Sequence, residues 1–418
     1  MIIPKRIRNL TYDLLRIYFR IQLRIGANLK YIFLKLRGSN YKNRLNLKSN
    51  IEVVLDKIKR NKKKRLALFV AFHAEDDIPL SNIEYLKFLF NCDFDVIYIH
   101  NGNLNQKICR QLHDIGVYLI TRENVGQDFG AWKDLFSLIY EKKINNLLEW
   151  ILICNDSNFC IDGGNLAFND KFKKALDLDN KNDVVSLNLN LGHNLHHQSF
   201  FICLSKRIFS AIKFKEFWER YIPLDNRYHI VKNGEMKLSN IILNNYKSRA
   251  LLRSCDLYQN IVNDHPELNF EQIERLLPKN MVFIGSCFDN ISFPSGLLKL
   301  FIILDNYNPS HVYALLNSAF NNSPFLKKDL TMSGSYSFLQ IHDFLIKYKS
   351  ISDEILEEII STLYAKGINY SYDSLVKEAT RKGIVKSNKL PFNDYIDTFF
   401  VGEKQKIKII EESIKEFF

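Results

Sequence analysis

Four runs of apolar residues, each of strand length and separated by helical patterns, constrain the fold of this chain most strongly. The runs are LALFVAFHA (66–74), FDVIYIHNG (94–102), GVYLIT (116–121) and EWILICNDSNF (149–159). Strands that are apolar on both faces are typical of a parallel sheet covered by helices on both sides. Helical spacing follows the first two runs, at 81–91 with Ser81 as the expected N-cap and at 105–116 with Gly116 as the end. The sequence therefore predicts a Rossmann-like α/β domain.

Polar residues follow each of the four predicted strands. They are His73, Glu75 and Asp76; His100 and Asn101; Glu123, Asn124 and Asp128; and Asn155, Asp156 and Ser157. The carboxyl ends of parallel strands are where open α/β sheets bind nucleotide-type ligands. The third group lies in RENVGQDFGAW (122–132), whose glycines could instead serve only a tight turn. No GxGxxG follows the first strand, which disfavours a dinucleotide cofactor.

Basic charge is concentrated in the first 65 residues. This segment carries 19 Lys and Arg against three acidic residues, while the whole chain has a net charge of +12, so the remainder is slightly acidic. From Ile7 to Leu36, Arg16, Arg20 and Arg24 recur at helical spacing among Ile, Leu and Phe. Such a helix is typical of one that lies in an anionic membrane surface. A helix packed on the protein body is the alternative.

Several other classes of protein are disfavoured. No apolar run is long enough and free enough of charge for a spanning helix, and no secretory signal is present. A basic terminus without a groove-binding module argues against a nucleic-acid partner. The seven cysteines lack zinc-site or disulfide-framework spacing, which favours reduced thiols in the cytoplasm. A second basic run, KIKRNKKKR (57–65), is expected to be an exposed linker.

Four motifs occur in order along the middle of the chain. They are ENVGQDFGAW, the strand ending in NDS, HHQSFFICLSKRIF (196–209) with FKEFWERY (214–221), and NPSHVYALLNSAFNNSPFLKKDL (308–330). In this order they resemble the rhamnan synthesis protein F family of bacterial surface-polysaccharide glycosyltransferases. The resemblance covers about residues 120–330 and implies a GT-A-type fold with a nucleotide-sugar donor and a glycan or lipid-linked glycan acceptor.

The resemblance also implies a role for the NDS motif. GT-A enzymes usually hold a divalent cation with two aspartates after a buried strand, because Mg²⁺ and Mn²⁺ prefer oxygen ligands. Here the position holds Asn155, Asp156 and Ser157, so Asp156 is the predicted metal-binding or phosphate-proximal residue, with the other two in support. The missing second aspartate leaves the dependence on Mn²⁺ or Mg²⁺ open. The structural alternative for Asp156 is a turn aspartate.

Two further motifs would line the donor pocket that the resemblance implies. The predicted substrate-binding residues are Asn124, Gly126, Asp128, Gly130, Asn155, Ser157, Gln198 and Ser199. Gly130 is expected to allow close approach of helix and strand. His196 and Gln198 could alternatively satisfy buried backbone groups.

The general base is predicted by the same resemblance. Inverting GT-A enzymes place an acidic residue at a helix start beyond the metal motif. Glu235 follows Gly234 and begins a helical pattern in NGEMKLSNIIL (233–243), so it is the predicted catalytic base, with His196 as the rival. A glutamate that only interacts with a helix dipole is the alternative.

The predicted organisation has three parts: a basic helical segment and linker (1–65), a GT-A-like nucleotide-sugar domain (66–295) and a mainly helical region (296–418). Asn308 or Ser310 beside Pro309 is expected to begin a helix. The resemblance implies an inverting glycosyltransferase of the hexosyltransferase type, with rhamnose as one candidate sugar. It would be cytoplasmic and held on the inner face of the cell membrane through residues 1–60. A non-catalytic membrane-associated module with a degenerate GT-A fold is the alternative.

Overall fold

The structure is a computed structural model that describes most of the chain. The described residues are Tyr18, 21–22, 24–35, 51–61, 63–177, 181–192, 195–281, 291–331, 336–349 and 351–369. Arg16, Arg20 and the end of the predicted C-terminal region from residue 370 lie outside them.

Strands and helices alternate through the central part of the chain, as predicted. The strands are β1 Arg65–Ala71, β2 Asp95–Asn101, β3 Tyr118–Arg122, β4 Trp150–Asn155, β5 Asn158–Cys160, β6 Val184–Ser186, β7 Leu189–Asn190, β8 His196–His197, β9 Phe201–Ser205, β10 Ser248–Ala250 and β11 Phe325–Lys327. The helices are α1 (24–35), α2 Ile51–Arg60, α3 Leu80–Asn91, α4 Gln106–Ile115, α5 Gln127–Glu141, α6 Leu166–Leu176, α7 Lys206–Phe209, α8 Ile212–Arg220, α9 Arg227–His229, α10 Met236–Asn245, α11 Ser254–Asp264, α12 Phe270–Glu274, α13 Phe293–Leu304, α14 Pro309–Val312, α15 Ala314–Phe320, α16 Phe338–Tyr348 and α17 Asp353–Asn369. A π-helix, Ile230–Glu235, joins α9 to α10.

Seven of these strands form one sheet in the order β10-β6-β9-β4-β1-β2-β3. The pairs β1–β2, β1–β4 and β2–β3 are parallel, which confirms the predicted Rossmann-like α/β arrangement. Beyond these four predicted strands, β9 runs antiparallel to both β4 and β6. The chain reaches β9 from β6 through the short β7–β8 pair, without the crossover helix that a parallel connection needs.

The central strand β1 is buried on both faces. Side chains alternate between the faces of a strand, so Phe69 packs in one apolar cluster with Leu86 of α3. Leu68 packs on the other face, in a cluster with Trp132 of α5. The indole N–H of Trp132 also donates to the carbonyl oxygen of Leu68 at 3.1 Å. This double burial explains why the sequence of β1 is apolar without alternation.

Two local predictions were wrong. The run at 57–65 is not a linker throughout, because α2 extends to Arg60 and buries Leu55 and Ile58 in the core. Ser81 is not an N-cap, because α3 begins at Leu80. The hydroxyl of Ser81 instead donates to the Glu358 carboxylate of α17 at 2.5 Å.

The later part of the chain is mainly helical, as predicted, and it also supplies a strand to the site. Leu300, Leu315 and Leu345 come from three of its helices and share an apolar cluster with Phe159 of β5. Asn308 caps α14 with Pro309 in the first turn, which confirms the predicted helix start. Strand β11 pairs antiparallel with β5, so this region reaches the segment that follows β4.

Helix α1 contacts the body of the protein on one side only. Ala27 is buried, the ring of Tyr31 lies 5.4 Å from that of His229, and the Arg24 guanidinium lies 5.4 Å from the centre of the Tyr228 ring. The exposed apolar residues of the segment are Ile21, Ile25, Leu29, Ile32 and Phe33. No helix in the described residues is long and apolar enough to cross a membrane.

Candidate functional site

The candidate site lies where the strand order reverses. The chain adds β2 and β3 on one side of β1 and then places β4 on the other side. The register pairs Val70 of β1 with Asn155 of β4, so the residues that follow these two strands meet at one edge of the sheet. This position is the topological switch point at which α/β sheets bind ligands.

Asp156 is held across the ends of β1 and β4. Its backbone N–H donates to the carbonyl oxygen of Val70 at 3.0 Å, and its Oδ2 accepts the N–H of Phe72 at 3.0 Å. The predicted strand 149–159 is therefore interrupted, since β4 ends at Asn155 and β5 begins at Asn158. Asp156 does occupy a turn, as the structural alternative supposed. In the described part of the chain, no hydrogen bond is made by its second carboxylate oxygen, Oδ1.

Asp128, Asn155 and Ser157 form one hydrogen-bonded cluster. The Nδ2 of Asn155 donates to Oδ2 of Asp128 at 2.6 Å, and its Oδ1 accepts the Ser157 hydroxyl at 2.6 Å. Burial, and then the charge of Asp156, raise the pKa of the Asp128 carboxyl to about 6, although Asn155, Lys327 and Arg122 act in the opposite direction. Perturbed carboxyl groups of this kind are common at functional sites. The structure thus brings these predicted residues together.

The two glycines of the 122–132 motif are required by close backbone packing. Gly126 has φ of 73°, and a Cβ there would lie 2.3 Å from the Cβ of Pro223. Its N–H donates to Oδ1 of Asp225 at 2.6 Å. A Cβ on Gly130 would lie 2.0 Å from the carbonyl oxygen of Val125, so this glycine allows the turn, and not a strand as predicted, to approach the helix closely. Asn124 is exposed beside this turn, and its role in binding stays a prediction.

Arg122 holds the 122–132 motif in place from within the core. The sequence did not predict this role. Its side chain is fully buried, forms an ion pair with Asp134 at 3.1 Å, and donates to Oδ1 of Asn101 at 2.5 Å. It also donates to the carbonyl oxygen of Val125 at 2.9 Å. Burial lowers the pKa of Arg122 below its ordinary value, against the effect of Asp134. An arginine that ends a strand just before a glycine-bearing turn was the available signal.

The histidines that follow β1 and end β2 contact each other. The ring of His73 lies 4.5 Å from that of His100, and its Nε2 lies 2.7 Å from the Tyr98 hydroxyl. Burial is the main cause that lowers the pKa of His100, and the neighbouring His73 adds to it. Phe72 is exposed at this edge, with its ring stacked at 6.5 Å on His100. The edge therefore presents an aromatic face beside the Asp156 turn.

Lys327 extends from β11 to the NDS turn. The sequence predicted no role for this lysine, although it lies in the 308–330 motif. Its Nζ donates to the Ser157 hydroxyl at 2.7 Å and lies 4.0 Å from the centre of the Phe200 ring. The next residue, Lys328, donates its backbone N–H to the carbonyl oxygen of Ser157 at 3.0 Å. A cationic side chain therefore lies within the carboxylate and amide cluster.

A second acidic cluster lies beside β9. Oε2 of Glu235 accepts the hydroxyl of Ser199 at 2.6 Å, and its Oε1 lies 3.4 Å from Nε2 of His196. The two clusters are adjacent, because the N–H of Asn155 donates to the carbonyl oxygen of Phe200 at 3.4 Å. The structure therefore brings the predicted base, its rival and Ser199 together, next to the NDS turn.

The predicted position of Glu235 at a helix start was wrong. The helix begins at Arg227, where the Oδ1 of Asn226 accepts the N–H of His229 at 3.0 Å, and continues through the π-helix into α10. Gly234 lies inside the π-helix and does not break it. It packs tightly there, because a Cβ at this position would lie 2.8 Å from the Phe129 ring. Glu235 thus ends a π-helical segment, a feature that is frequent at functional sites. The helix-start dipole alternative does not apply to it.

Gln198 and His196 do not share one role. The side-chain Nε2 of Gln198 donates to Oδ1 of Asn308 at 2.7 Å and to the hydroxyl of Ser310 at 3.3 Å, which ties β8 to α14. In the described residues, its buried Oε1 has no hydrogen-bond partner. His197, beside it, is also buried, and burial lowers its pKa to about 4. The side chain of Gln198 therefore bonds other side chains and not buried backbone groups, and its role in binding stays a prediction.

The NPSH motif contributes an ion pair. Nε2 of His311 lies 2.8 Å from Oδ1 of Asp329. Burial alone would raise the pKa of Asp329, but the hydrogen bond and charge of His311, with the charges of Lys327 and Arg227, lower it to about 2. Basic side chains therefore surround this second carboxylate as well.

The residues of the site do not make a resident metal centre. No group of three or more His, Cys, Asp or Glu side chains suited to a metal ion occurs in the described part of the chain. Asp156 and Asp128 each have one carboxylate oxygen in a hydrogen bond. The Lys327 ammonium beside Ser157 is a poor neighbour for a divalent cation, because like charges repel. These features disfavour the predicted metal-binding role of Asp156, which stays a prediction.

Comparison with known proteins agrees with the motif resemblance. Residues 96–284 match the family model of the Rhamnan synthesis protein F family, which confirms the resemblance over that part of the chain. An uncharacterized protein, y4gN of Sinorhizobium fredii (strain NBRC 101917 / NGR234), is 21% identical over 158 residues, or 37% of this chain. The match spans 39% of that relative's length.

Two solved structures are similar to this chain over most of its length. The glycosyltransferase GlyE of Streptococcus pneumoniae TIGR4 is 10% identical, with 79% of this chain and 66% of that chain covered and a TM-score of 0.32. TarS 1-349 of S. aureus in complex with UDP is 10% identical, with 78% and 94% covered and a TM-score of 0.23. Both likenesses are weak by TM-score.

Proposed function

We propose that this chain is a glycosyltransferase that moves a sugar from a nucleoside-diphosphate donor to a hydroxyl group of a glycan acceptor. The observation that carries the proposal is the meeting of two acidic clusters at the switch point of the sheet. One contains Asp128, Asn155 and Ser157, next to Asp156 in the same turn, and the other contains Glu235 and Ser199. The family match over residues 96–284 supports the same activity.

The donor would occupy the edge between β1 and β4. The exposed ring of Phe72 offers a face for a nucleobase to stack on. Gly126 and Gly130 pack against Pro223 and Val125, so they support the shape of the motif and do not face the donor. Asp156 and Ser157 would contact the sugar or the phosphates. Asn124 and Asp128 complete the wall of this pocket.

Glu235 would act as the general base. Its carboxylate is oriented by Ser199, and a base must lie within hydrogen-bond reach of the proton that it removes. The acceptor oxygen forms a bond to the anomeric carbon while the bond from that carbon to the phosphate oxygen breaks. The proton passes to Glu235, and the nucleoside diphosphate leaves with the bonding electron pair. Attack opposite the leaving group inverts the anomeric configuration.

A purified full-length chain tests this proposal with a panel of UDP-, GDP- and dTDP-sugars, with and without Mn²⁺. We expect saturable binding of at least one donor and slow release of its nucleoside diphosphate. Asp156→Ala should abolish turnover while the circular dichroism spectrum is unchanged. A folded wild-type chain that binds none of these donors would overturn the proposal. Donor binding without turnover on any glycan acceptor would favour the non-catalytic module instead.

The acceptor class and location are proposed from the family description and from α1. Surface-polysaccharide synthesis, with rhamnose as the sugar and a lipid-linked acceptor, rests on the family resemblance. Helix α1 adds an exposed apolar stripe that includes Ile25 and Leu29, next to the basic side chains of Arg24 and Lys30. A stripe of this kind suits the inner face of an anionic membrane.

Vesicle co-sedimentation tests the membrane contact. Full-length chain should pellet with phosphatidylglycerol-containing vesicles more than with pure phosphatidylcholine vesicles. Ile25→Asp should lower the pelleted fraction several-fold, whereas Ile212→Asp, at another exposed isoleucine, should not. Equal pelleting of the wild type and Ile25→Asp would argue for a helix that only packs on the protein.

A further inference from the structure

We propose that Lys327 stabilises the departing nucleoside diphosphate, doing with an ammonium group what a metal ion does in metal-dependent transferases. The proposal rests on the glycosyltransferase function above and adds a residue that acts on the leaving group. It is carried by where β11 places this side chain, beside the turn that ends β4.

The position of Lys327 is fixed by backbone pairing. Strand β11 runs antiparallel to β5, with Lys327 opposite Asn158, one residue beyond the NDS turn. A second backbone bond, from the N–H of Lys328 to the carbonyl oxygen of Ser157, continues the pairing into the turn. The ammonium group therefore belongs to a residue whose backbone is fixed by strand pairing.

The contacts of Lys327 hold its ammonium group at the site. Its Nζ lies 2.7 Å from the Ser157 hydroxyl, and its position 4.0 Å from the centre of the Phe200 ring adds a cation–π contact. Its charge also acts on the carboxyl groups of Asp128 and Asp329, whose pKa values it lowers. Lys327 thus lies close enough to the donor edge and to Asp329 for its charge to act on both.

The chemistry requires positive charge at this point. A diphosphate gains negative charge as its bond to the sugar breaks, and the nearby carboxylates of Asp128 and Asp156 would oppose this if they acted alone. The ammonium of Lys327 offsets that charge in a partly buried setting, where electrostatic interactions are stronger than in water. The bond that breaks joins the anomeric carbon to the phosphate oxygen. The electron pair stays on that oxygen, and no proton is transferred to or from Lys327.

Lys327→Met tests the role, because methionine keeps much of the apolar length that packs on Phe200 and removes the charge. We expect its affinity for UDP or dTDP to fall at least tenfold and its kcat about a hundredfold, a loss of the size seen when one electrostatic donor is removed from a transition state. Affinity for uridine or thymidine, which lack phosphate, should not change. Lys327→Arg should restore part of the diphosphate affinity.

Lys328→Met is the matched control. The ammonium of Lys328 lies 5.3 Å from the centre of the Phe159 ring, outside the NDS contacts, so this variant should bind UDP within about twofold of the wild type. Wild-type turnover should also persist in EDTA. Either of two results would overturn the role of Lys327 and leave the glycosyltransferase proposal standing. One is undiminished diphosphate binding by Lys327→Met, and the other is wild-type activity that EDTA removes and Mn²⁺ restores. A wild type that binds no nucleotide would overturn the glycosyltransferase proposal together with it.

Discussion

The Oε2 atom of Glu235 accepts both the backbone N–H of Ser199, at 2.8 Å, and its hydroxyl, at 2.6 Å. One oxygen of the carboxylate is thereby fixed to the residue that precedes Phe200 and β9. The other oxygen, Oε1, faces His196 at 3.4 Å. These two hydrogen bonds join the π-helix to the sheet edge and orient the carboxylate before any substrate binds.

Glu235→Gln should lower kcat by about 10²–10⁴-fold, because the amide can still accept the bonds from Ser199 but cannot take the acceptor proton. Initial rates of sugar transfer, measured with the donor found in the panel, check this. Ser199→Ala is the control, since it removes one hydrogen bond and leaves the carboxylate, so a loss below about tenfold is expected. A greater loss in His196→Asn than in Glu235→Gln would assign the base to His196.

Asp128 should make stability depend on pH. Its pKa in the folded protein is about 6, above the ordinary value, so the folded state holds this proton more tightly than the unfolded state. The contribution to stability is therefore fully present below about pH 4 and is lost as the pH rises through about 6. Asp128→Asn should exceed the wild type in free energy of unfolding by about 1–2 kcal/mol at pH 7.5, with little difference at pH 4. Urea denaturation at both pH values measures this, and equal stability at pH 7.5 would contradict it.

Gly126→Ala should be clearly more destabilising than Gly116→Ala. Both glycines have positive φ, 73° and 95°, but only Gly126 has another residue, Pro223, where the new Cβ would lie. We expect about 1 kcal/mol of lost stability at Gly116, from backbone strain alone, and more than about 2 kcal/mol at Gly126. Urea denaturation of the two variants makes the comparison. Similar losses would show that Pro223 moves aside easily.

Arg122→Met should cost about 3–5 kcal/mol of unfolding free energy, because it removes the charge that pairs with buried Asp134. Arg207→Met is the control, since its ion pair with Asp183 leaves the arginine side chain 69% exposed. An exposed pair contributes no more than about 1 kcal/mol. Chemical denaturation would compare them, and losses of equal size would mean that burial does not determine the cost.

Much of the fold could be predicted because its signals are local. The apolar runs predicted β1 to β4, and Gly116 ends α4 in the left-handed conformation with φ of 95°, as expected. The antiparallel direction of β9 was not predicted, since an apolar strand carries no mark of its direction. The start of the 57–65 run was misread for a related reason. Lys57, Lys59 and Arg60 are exposed charges at the end of α2, while its apolar residues Leu55 and Ile58 are buried and Ile51 and Val54 pack beside them.

The candidate site likewise contains residues that local motifs predicted and residues that only tertiary contacts bring together. The sequence by itself determined which residues are candidates for the chemistry, because Asp128, Asp156 and Glu235 stand in recognisable motifs after strands or beside glycines. Only the tertiary structure decided that Lys327, 170 residues beyond Ser157, belongs with them. It also decided that Glu235 ends a π-helix and is oriented by Ser199. The physical reason is that strand and turn patterns depend on near neighbours, whereas the pairing of β11 with β5 and the charges that meet there depend on contacts between distant parts of the chain.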